Sequence, residues 1–275
     1  MFEMKENYIH CIIPSFNRIK QLKETYDQLI SQTYKNIKII IINDGSSDGT
    51  LEYFNSIDNE NLHIINGDGN LWWGKSVNEG LKYVLETSSN EDYVLLLNDD
   101  IYFDNNLLYN FSNDLSKCKT PTLLGAYQAD NLTKSATHLG YKVDFLKTKI
   151  TPLFSSNDDI NIGALPARGL FFTIDTLKNV GLINTFLFRQ AVGDLEFTAR
   201  ALEKGINLKI CEDAIIYTDA KSDDDSQMAQ SLFKRFTSRY NNNSFLLYII
   251  FFSIRGPWFL RISSLIRFIF FRISR

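Results

Sequence analysis

The sequence predicts an α/β fold, a mostly parallel central sheet with helices on both faces, and three observations carry that prediction. Apolar runs suited to buried strands alternate with amphipathic segments through the first hundred residues, a βαβ repetition. The run Tyr93-Val94-Leu95-Leu96-Leu97 is bounded by charge and reads as a strand buried on both faces. The chain has 275 residues, enough for one large domain, or one with a small appendage.

Taken in order, Tyr8 to Pro14 reads as the first strand and Ile19 to Ser31 as a helix. Ile37 to Asn43 is a second strand. The turn-rich Asp44-Gly45-Ser46-Ser47-Asp48-Gly49 then leads into a helix from about Thr50. Leu62 to Ile65 is a third strand, followed by a glycine-rich loop and a helix over about Lys75 to Glu86. The fourth strand ends at Asn98. Beyond it the pattern is less regular, with strands expected near Leu123 to Ala129, His138 to Phe145, Gly169 to Thr173 and Ala214 to Tyr217. Helices are expected over Leu177 to Val180 and Asp194 to Lys204. Lys221 to Gln227 is polar and acidic and reads as a mobile loop.

Composition bounds the function. A net charge of −3 gives no general case for nucleic-acid binding. No acidic residue follows Asp225, whereas Lys234, Arg235, Arg239, Arg255, Arg261, Arg267, Arg272 and Arg275 do, so a slightly acidic body carries a basic tail. Cys11, Cys118 and Cys211 lack metal-ligand spacing and suit a reducing compartment. Met1 to Asn7 is polar, without the apolar core of a secretory signal, which makes the cytoplasm the expected location.

Asn98-Asp99-Asp100 is the most informative chemical feature. Ligands of open α/β sheets bind outside the carboxyl ends of the strands, and adjacent acids repel unless a cation or hydrogen-bond donors offset them. Hard cations prefer oxygen ligands, and Mg²⁺ often shares carboxylates with substrate phosphates. A nucleoside-diphosphate site fits, and so does a loop with two solvated acids. Gly69 to Ser76 also satisfies the phosphate-loop pattern G-x-x-x-x-G-K-[ST] between a strand and a helix. Two bulky side chains, Trp72 and Trp73, stand where that loop must curl around phosphates, and the first two strand ends would be left unexplained. Gly67-Asp68-Gly69 begins a dinucleotide fingerprint but has Trp72 at the third glycine, which excludes it.

Considered together, the strand ends resemble the family 2 glycosyltransferases with the GT-A, Rossmann-like fold. The resemblance runs through Ile12-Ile13-Pro14-Ser15-Phe16-Asn17-Arg18, Ile41-Ile42-Asn43-Asp44-Gly45-Ser46-Ser47-Asp48-Gly49-Thr50, and a Trp-Trp loop over Gly67 to Trp73 with Asn78 and Gly80. It continues through Asn98-Asp99-Asp100 and Gly193-Asp194-Leu195-Glu196-Phe197-Thr198-Ala199-Arg200, covering about residues 8 to 219.

The resemblance implies an inverting transferase of the rhamnosyl or similar hexosyl type that uses Mg²⁺ or Mn²⁺ and a UDP- or dTDP-sugar. Its acceptor would be a glycan or lipid-linked saccharide in bacterial surface-polysaccharide assembly. Asp44 would accept the imide N–H of uracil or thymine, although a turn-forming aspartate reads the same way locally. Pro14, Ser15, Asn17, Arg18, Ser46, Gly67, Trp72, Lys75, Asn98 and Asp99 would complete the nucleotide-sugar site. Asp100 would be the direct metal ligand, with Asp99 beside it. Trp73, Arg168, Gly169 and Glu196 would receive the acceptor, Glu196 and Arg168 orienting it or pairing with each other. Adjacent residues of a regular element cannot both face one way, so at least one of the two tryptophans is expected to line the sugar site, although core packing is the other reading of both.

Asp194 would be the base that takes the acceptor hydroxyl proton. Its place at a helix N-terminus is expected to keep its pKa low, while an ordinary N-cap aspartate is the alternative reading. Two departures from the family pattern matter. Gly193 stands where many relatives carry Glu, and Thr218-Asp219 stands where many carry a metal-binding His, so Asp219 is a third metal candidate. His10, His63 and His138 read as structural.

The tail completes the division into residues 1–220, a transferase domain with a nucleotide half (about 1–104) and an acceptor half (105–220), and residues 221–275. Phe245 to Ile254 is too short to span a bilayer and is interrupted by Arg255-Gly256-Pro257. Together with Trp258 to Arg275 it reads as basic amphipathic helix lying at the inner face of the cell membrane. Packing on the body, or contact in a homodimer, is the alternative. On residues alone, a phosphate-loop NTPase and a non-catalytic sugar-nucleotide binder remain the competing functions.

Overall fold

The computed structural model describes residues 7–154, 161–219, 244–261, 263 and 266. The expected mobile loop from Lys221 to Gln227, most of Met1 to Asn7, and the last basic residues of the tail, Arg267, Arg272 and Arg275, lie outside the described residues.

Eight strands form one sheet in the order β3-β2-β1-β4-β9-β6-β10-β5. The nucleotide half supplies β1 (Ile9–Ser15), β2 (Ile37–Asn43), β3 (Leu62–Asn66) and β4 (Tyr93–Leu96), all parallel to their neighbours in this group. The other half adds β5 (Tyr102–Phe103), β6 (Thr122–Asp130), β9 (Leu170–Thr173) and β10 (Asn207–Thr218). Here β9 runs antiparallel to both β4 and β6, and β10 is parallel to β6. A separate hairpin of β7 (Gly140–Asp144) and β8 (Lys149–Leu153) stands beside this sheet. The strand predicted over His138 to Phe145 is therefore the first arm of a hairpin.

The inner strands are almost wholly apolar because both faces are covered. On β1, Ile9, Cys11 and Ile13 face a core with α1 (Ile19–Ile30) and α4 (Leu107–Ser116), while Ile12 faces α3 (Trp72–Thr87). α3 packs close to the sheet at Gly80, where a Cβ would lie 2.6 Å from Ile12 Cγ2. The short helices α2 (Thr50–Asn55) and α5 (Ile174–Val180) and the longer α6 (Gly193–Glu203) complete the transferase region. α3 starts at Trp72, three residues before its predicted start.

The reading of the tail changes most. Its apolar run forms α7 (Phe245–Arg255), whose Leu247, Phe251 and Phe252 are buried against Ala164, Phe188, Ala191, Val192, Leu195 and Ala199. Burying an apolar side chain of this size stabilises by about 1.5–3 kcal/mol, so α7 is a working part of the core. This is the packing of the segment on the body that the sequence offered as the alternative to a membrane-surface helix. Gly256 and Pro257 end it, and α8 (Trp258–Arg261) begins with Trp258 and Phe259 exposed. Among the described residues no helix is long and apolar enough to cross a membrane.

Candidate active site

The strand order reverses between β1 and β4, and such a switch point opens a crevice at the carboxyl ends of the strands. Ser15 ends β1 and Asn98-Asp99-Asp100 follows β4. The Ser15 hydroxyl donates to Asp99 Oδ2 at 2.7 Å, tying the two strand ends together. A cleft of about 730 Å³ opens here, and Pro14, Ser15, Arg18, Asp44, Trp72, Trp73, Asn98, Asp99, Asp100, Arg168 and Asp194 all line it. Residues 180 positions apart in sequence thus share one cavity.

Arg18 is the cation between the acids. Its Nη1 lies 2.8 Å from Asp100 Oδ2 and 3.2 Å from Asp99 Oδ1. Burial pushes the Asp99 carboxyl up, against the opposing pull of the Ser15 hydroxyl and Arg18. Asp100 Oδ1 is buried without a hydrogen-bond partner. An orphaned anionic oxygen at this strand end fits a divalent cation. Among the described residues, no three His, Cys, Asp or Glu side chains converge as a metal site. A metal held by Asp100 and Asp99 would therefore complete its shell from diphosphate oxygens and water, as Mg²⁺ commonly does. Asp219 is exposed and lines an adjoining cavity with Asp99 and Asp100, but its carboxylate accepts from Asn131 Nδ2 at 3.1 Å and does not complete a third-ligand cluster.

Asp44 does more than the sequence indicated. Its carboxylate accepts from three backbone amides of the Trp-Trp loop, those of Gly69, Leu71 and Trp72, at 3.0–3.1 Å. Gly67 leaves room for that carboxylate, since a Cβ there would come within 2.6 Å of Asp44 Oδ1. The next amides are also taken: Trp73 N donates to Gln190 Oε1 at 2.9 Å and Gly74 N to the Arg189 carbonyl at 2.8 Å. A phosphate loop offers such amides to phosphate. Here the chain's own acid and carbonyls hold them, and residues 72–76 are already helical, so the segment is not shaped as a phosphate loop. Lys75 is half-buried on α3 and does not line the cleft. Both tryptophans line it, and Trp73 also packs against the core beneath α3; Trp72 has a left-handed φ of 59°.

Several predicted contacts are not among the residues that line the cleft. The Asn17 amide donates to Ser46 Oγ, and Asn17 Oδ1 accepts from Ser47 N, so this pair locks two loops together. Gly169 has φ +81°, and a Cβ would fall 2.5 Å from both Ala126 Cβ and Ile216 Cδ1; its role is sheet packing beside Arg168. Glu196 is buried away from the cleft. Arg200 on the same helix grips both of its oxygens at 3.1 Å, and Arg255 Nε approaches Oε1 at 3.4 Å. The predicted Glu196–Arg168 pair is not formed among the contacts of Glu196, and Arg168 acts electrostatically on Asp194 instead.

Asp194 is the second residue of α6. Ala167 N donates to Oδ2 at 3.2 Å and Leu195 N to Oδ1 at 2.9 Å. Burial pushes its carboxyl up in spite of these bonds and of Arg168. The low pKa expected from the helix N-terminus is thus corrected: desolvation outweighs the dipole. Val192, immediately before the helix, has a left-handed φ of 66°, a costly conformation for a β-branched residue.

Sequence reasoning missed Gln128, Tyr141, Gln190 and Val192 in the cleft, and assigned His138 to structure although it lines both cavities. Burial, then the negative Asp194, pushes the Tyr141 phenol up. No spacing signal marks these residues, because the hairpin and the 184–192 loop reach the cleft only through tertiary packing.

An open α/β sheet with paired carboxylates at its switch point and a further buried acid across the cleft is the arrangement expected of a glycosyltransferase. Residues 10–167 match the family described as Glycosyl transferase family 2, more than half of the chain, and the protein belongs to that family. It is 27% identical over 157 residues to the Escherichia coli UDP-Glc:alpha-D-GlcNAc-diphosphoundecaprenol beta-1,3-glucosyltransferase WfaP, covering 57% of this chain and 55% of that protein. Two solved structures share the fold. Staphylococcus aureus TarS 1-349 in complex with UDP-GlcNAc has a TM-score of 0.60 at 15% identity, over 91% of this chain and 66% of that one. GalNAc-T7 with UDP, GalNAc and Mn²⁺ has a TM-score of 0.63 at 11% identity, over 79% and 44%. The aligned part spans only 16–32% of the length of five Rickettsia relatives, all uncharacterized glycosyltransferases.

Proposed function

We propose that the protein is an inverting glycosyltransferase that moves a hexose from a UDP- or dTDP-sugar to a hydroxyl of a glycan or lipid-linked acceptor in surface-polysaccharide assembly. The observation that carries this reading is that Asp99 and Asp100, at the end of β4, face the same cleft as Asp194. One acidic group suits the charge of a metal–diphosphate, and the other suits proton removal. Such separation of roles is what a single displacement requires.

In this reading Ser15, Arg18, Asn98 and Asp99 bind and orient the nucleotide, and Asp44 sets the floor of its pocket by fixing the Trp-Trp loop. Trp72 and Trp73 bound the sugar. Asp100, with Asp99, holds Mg²⁺ or Mn²⁺; when bound, the ion stabilises charge developing on the departing diphosphate. Asp194 takes the proton of the attacking hydroxyl, and its raised pKa makes it a stronger base than an exposed aspartate. Tyr141, His138 and Arg168 line the acceptor side. The diphosphoundecaprenol acceptor of WfaP supports a lipid-linked acceptor here, and with it a peripheral position of the C-terminal segment at the cytoplasmic membrane face.

The test is a thermal-shift panel of UDP, dTDP, GDP, ADP and ATP, each with and without Mn²⁺. A ligand at a hundred times its Kd adds about 2.7 kcal/mol, which moves Tm by roughly 5–11 °C for a domain near this size. Metal-dependent stabilisation by UDP or dTDP is expected. Stabilisation by ATP alone would overturn the reading.

A further inference from the structure

The hairpin of β7 and β8 lies against α7, which is itself packed on α6. Phe145, at the hairpin tip, has its ring centroid 5.8 Å from that of Phe252 and 6.2 Å from that of Phe251. A Cβ at Gly256 would lie 3.4 Å from Phe145 Cδ1. The hairpin tip therefore meets the junction between α7 and α8. Arg261 Nε donates to the Gly256 carbonyl at 2.8 Å and folds α8 back onto the same junction.

Around this junction the large apolar side chains turn outward. Leu146, next to Phe145, is 61% exposed, and Trp258 and Phe259, just past Gly256, are 80% and 63% exposed. Their surroundings are cationic: Lys142 and Lys147 are exposed on the hairpin, Lys149 is half-buried beside them, and Arg261 is exposed on α8. The nearby acid, Asp144, has its carboxylate turned to the Lys147 amide at 2.9 Å. Aromatic and aliphatic side chains ringed by Lys and Arg match the headgroup boundary of an anionic bilayer. Separate segments supply the two halves of this surface.

We propose that the β7–β8 hairpin tip and α8 together form one docking face for an anionic lipid bilayer. The proposal rests on the peripheral reading above and deepens it: the tail alone does not make the contact. It also orients the enzyme. Tyr141 lines the cleft on β7 and lies four residues before Phe145, which directly follows that strand, about 13 Å along an extended chain. The acceptor side of the cleft then opens near the membrane, within reach of a headgroup-linked saccharide.

The experiment is co-sedimentation of the full chain with vesicles of phosphatidylcholine, with and without one-quarter phosphatidylglycerol. The variants are Leu146→Glu, the double variant Trp258→Glu/Phe259→Glu, and Leu132→Glu, which alters an apolar residue 79% exposed on the turn after β6. Thermal melting confirms that each variant folds. Expected are binding of the wild type to phosphatidylglycerol vesicles, a loss of about tenfold for Leu146→Glu and for the double variant, and no change for Leu132→Glu. Loss in the double variant with full binding by Leu146→Glu would overturn the two-part face and leave the peripheral reading standing. No binding by the wild type would overturn both. Equal loss in Leu132→Glu, or a concentration-dependent dimer that the double variant abolishes, would also overturn the proposal.

Discussion

Glu196 and Arg255, 59 residues apart in sequence, lie 3.4 Å from each other in the interior, and Arg255 reaches Glu203 at 2.7 Å as well. The contact joins α7 to α6, the helix that carries Asp194 in its first turn. Since Glu196 is 1% exposed and held by Arg200 too, removing it takes the only carboxylate partner of Arg200 among its described contacts and leaves Arg255 with Glu203 alone. Breaking a buried pair from one side costs about 3–5 kcal/mol. Glu196→Ala is expected to lower unfolding stability by about that amount in urea titration, whereas Arg255→Gln costs less because Arg200 still pairs with Glu196.

Asp44 is expected to be a structural and a binding residue at once. Asp44→Ala leaves three amides without their acceptor, a loss of about 3 kcal/mol. The Trp-Trp loop would detach, so both the midpoint of unfolding and the stabilisation by UDP should fall. Unchanged stability would show that the loop stands without its carboxylate.

Metal dependence is expected to reside in Asp100. Asp100→Asn should abolish the difference between the Mn²⁺ and metal-free arms of the UDP thermal-shift experiment. The fold should persist, because Arg18 still bonds Asp99.

Asp194 carries a linkage with a definite sign. Its folded pKa is raised, so between its unfolded and folded values the native state binds the extra proton, and stability falls as pH rises through that window. Above that window the ionised, desolvated carboxylate is a burden on the fold. Asp194→Asn is therefore expected to abolish transfer without lowering Tm, and the acid limb of the wild-type kcat/KM profile should lie above the ordinary aspartate range.

The parts of this molecule legible in its sequence are those fixed by local physics. The strands β1 to β4 are near-continuous apolar runs, and their polar ends mark the switch point. Glu196 was misread as a cleft residue, although helix geometry contains the correction: two residues on a helix turn through about 200°, so Asp194 and Glu196 point to opposite sides. The apolar run of α7 was harder. A Phe-rich helix suits a bilayer surface and a protein core equally by composition, and its partners Glu196, Leu195 and Val192 are some fifty residues away. The same distance hid Tyr141 and Gln190. Burial at Asp194, which reversed the expected pKa direction, is a property of the packed cleft and has no local signature.

Because Asp44 reads the Trp-Trp loop through main-chain amides alone, it is indifferent to most side chains mounted there. Gly69, at φ +84°, must keep its backbone freedom, and proline is barred wherever an amide is donated. Trp72 and Trp73 give the anchor only their backbone: the Trp72 amide donates to Asp44 and the Trp73 amide to Gln190, although Trp72 has a left-handed φ of 59° and the Trp73 side chain packs on the core. The loop is thus clamped by its main chain, and of its two indoles the 40% exposed Trp72 is the one set toward the open side of the cleft.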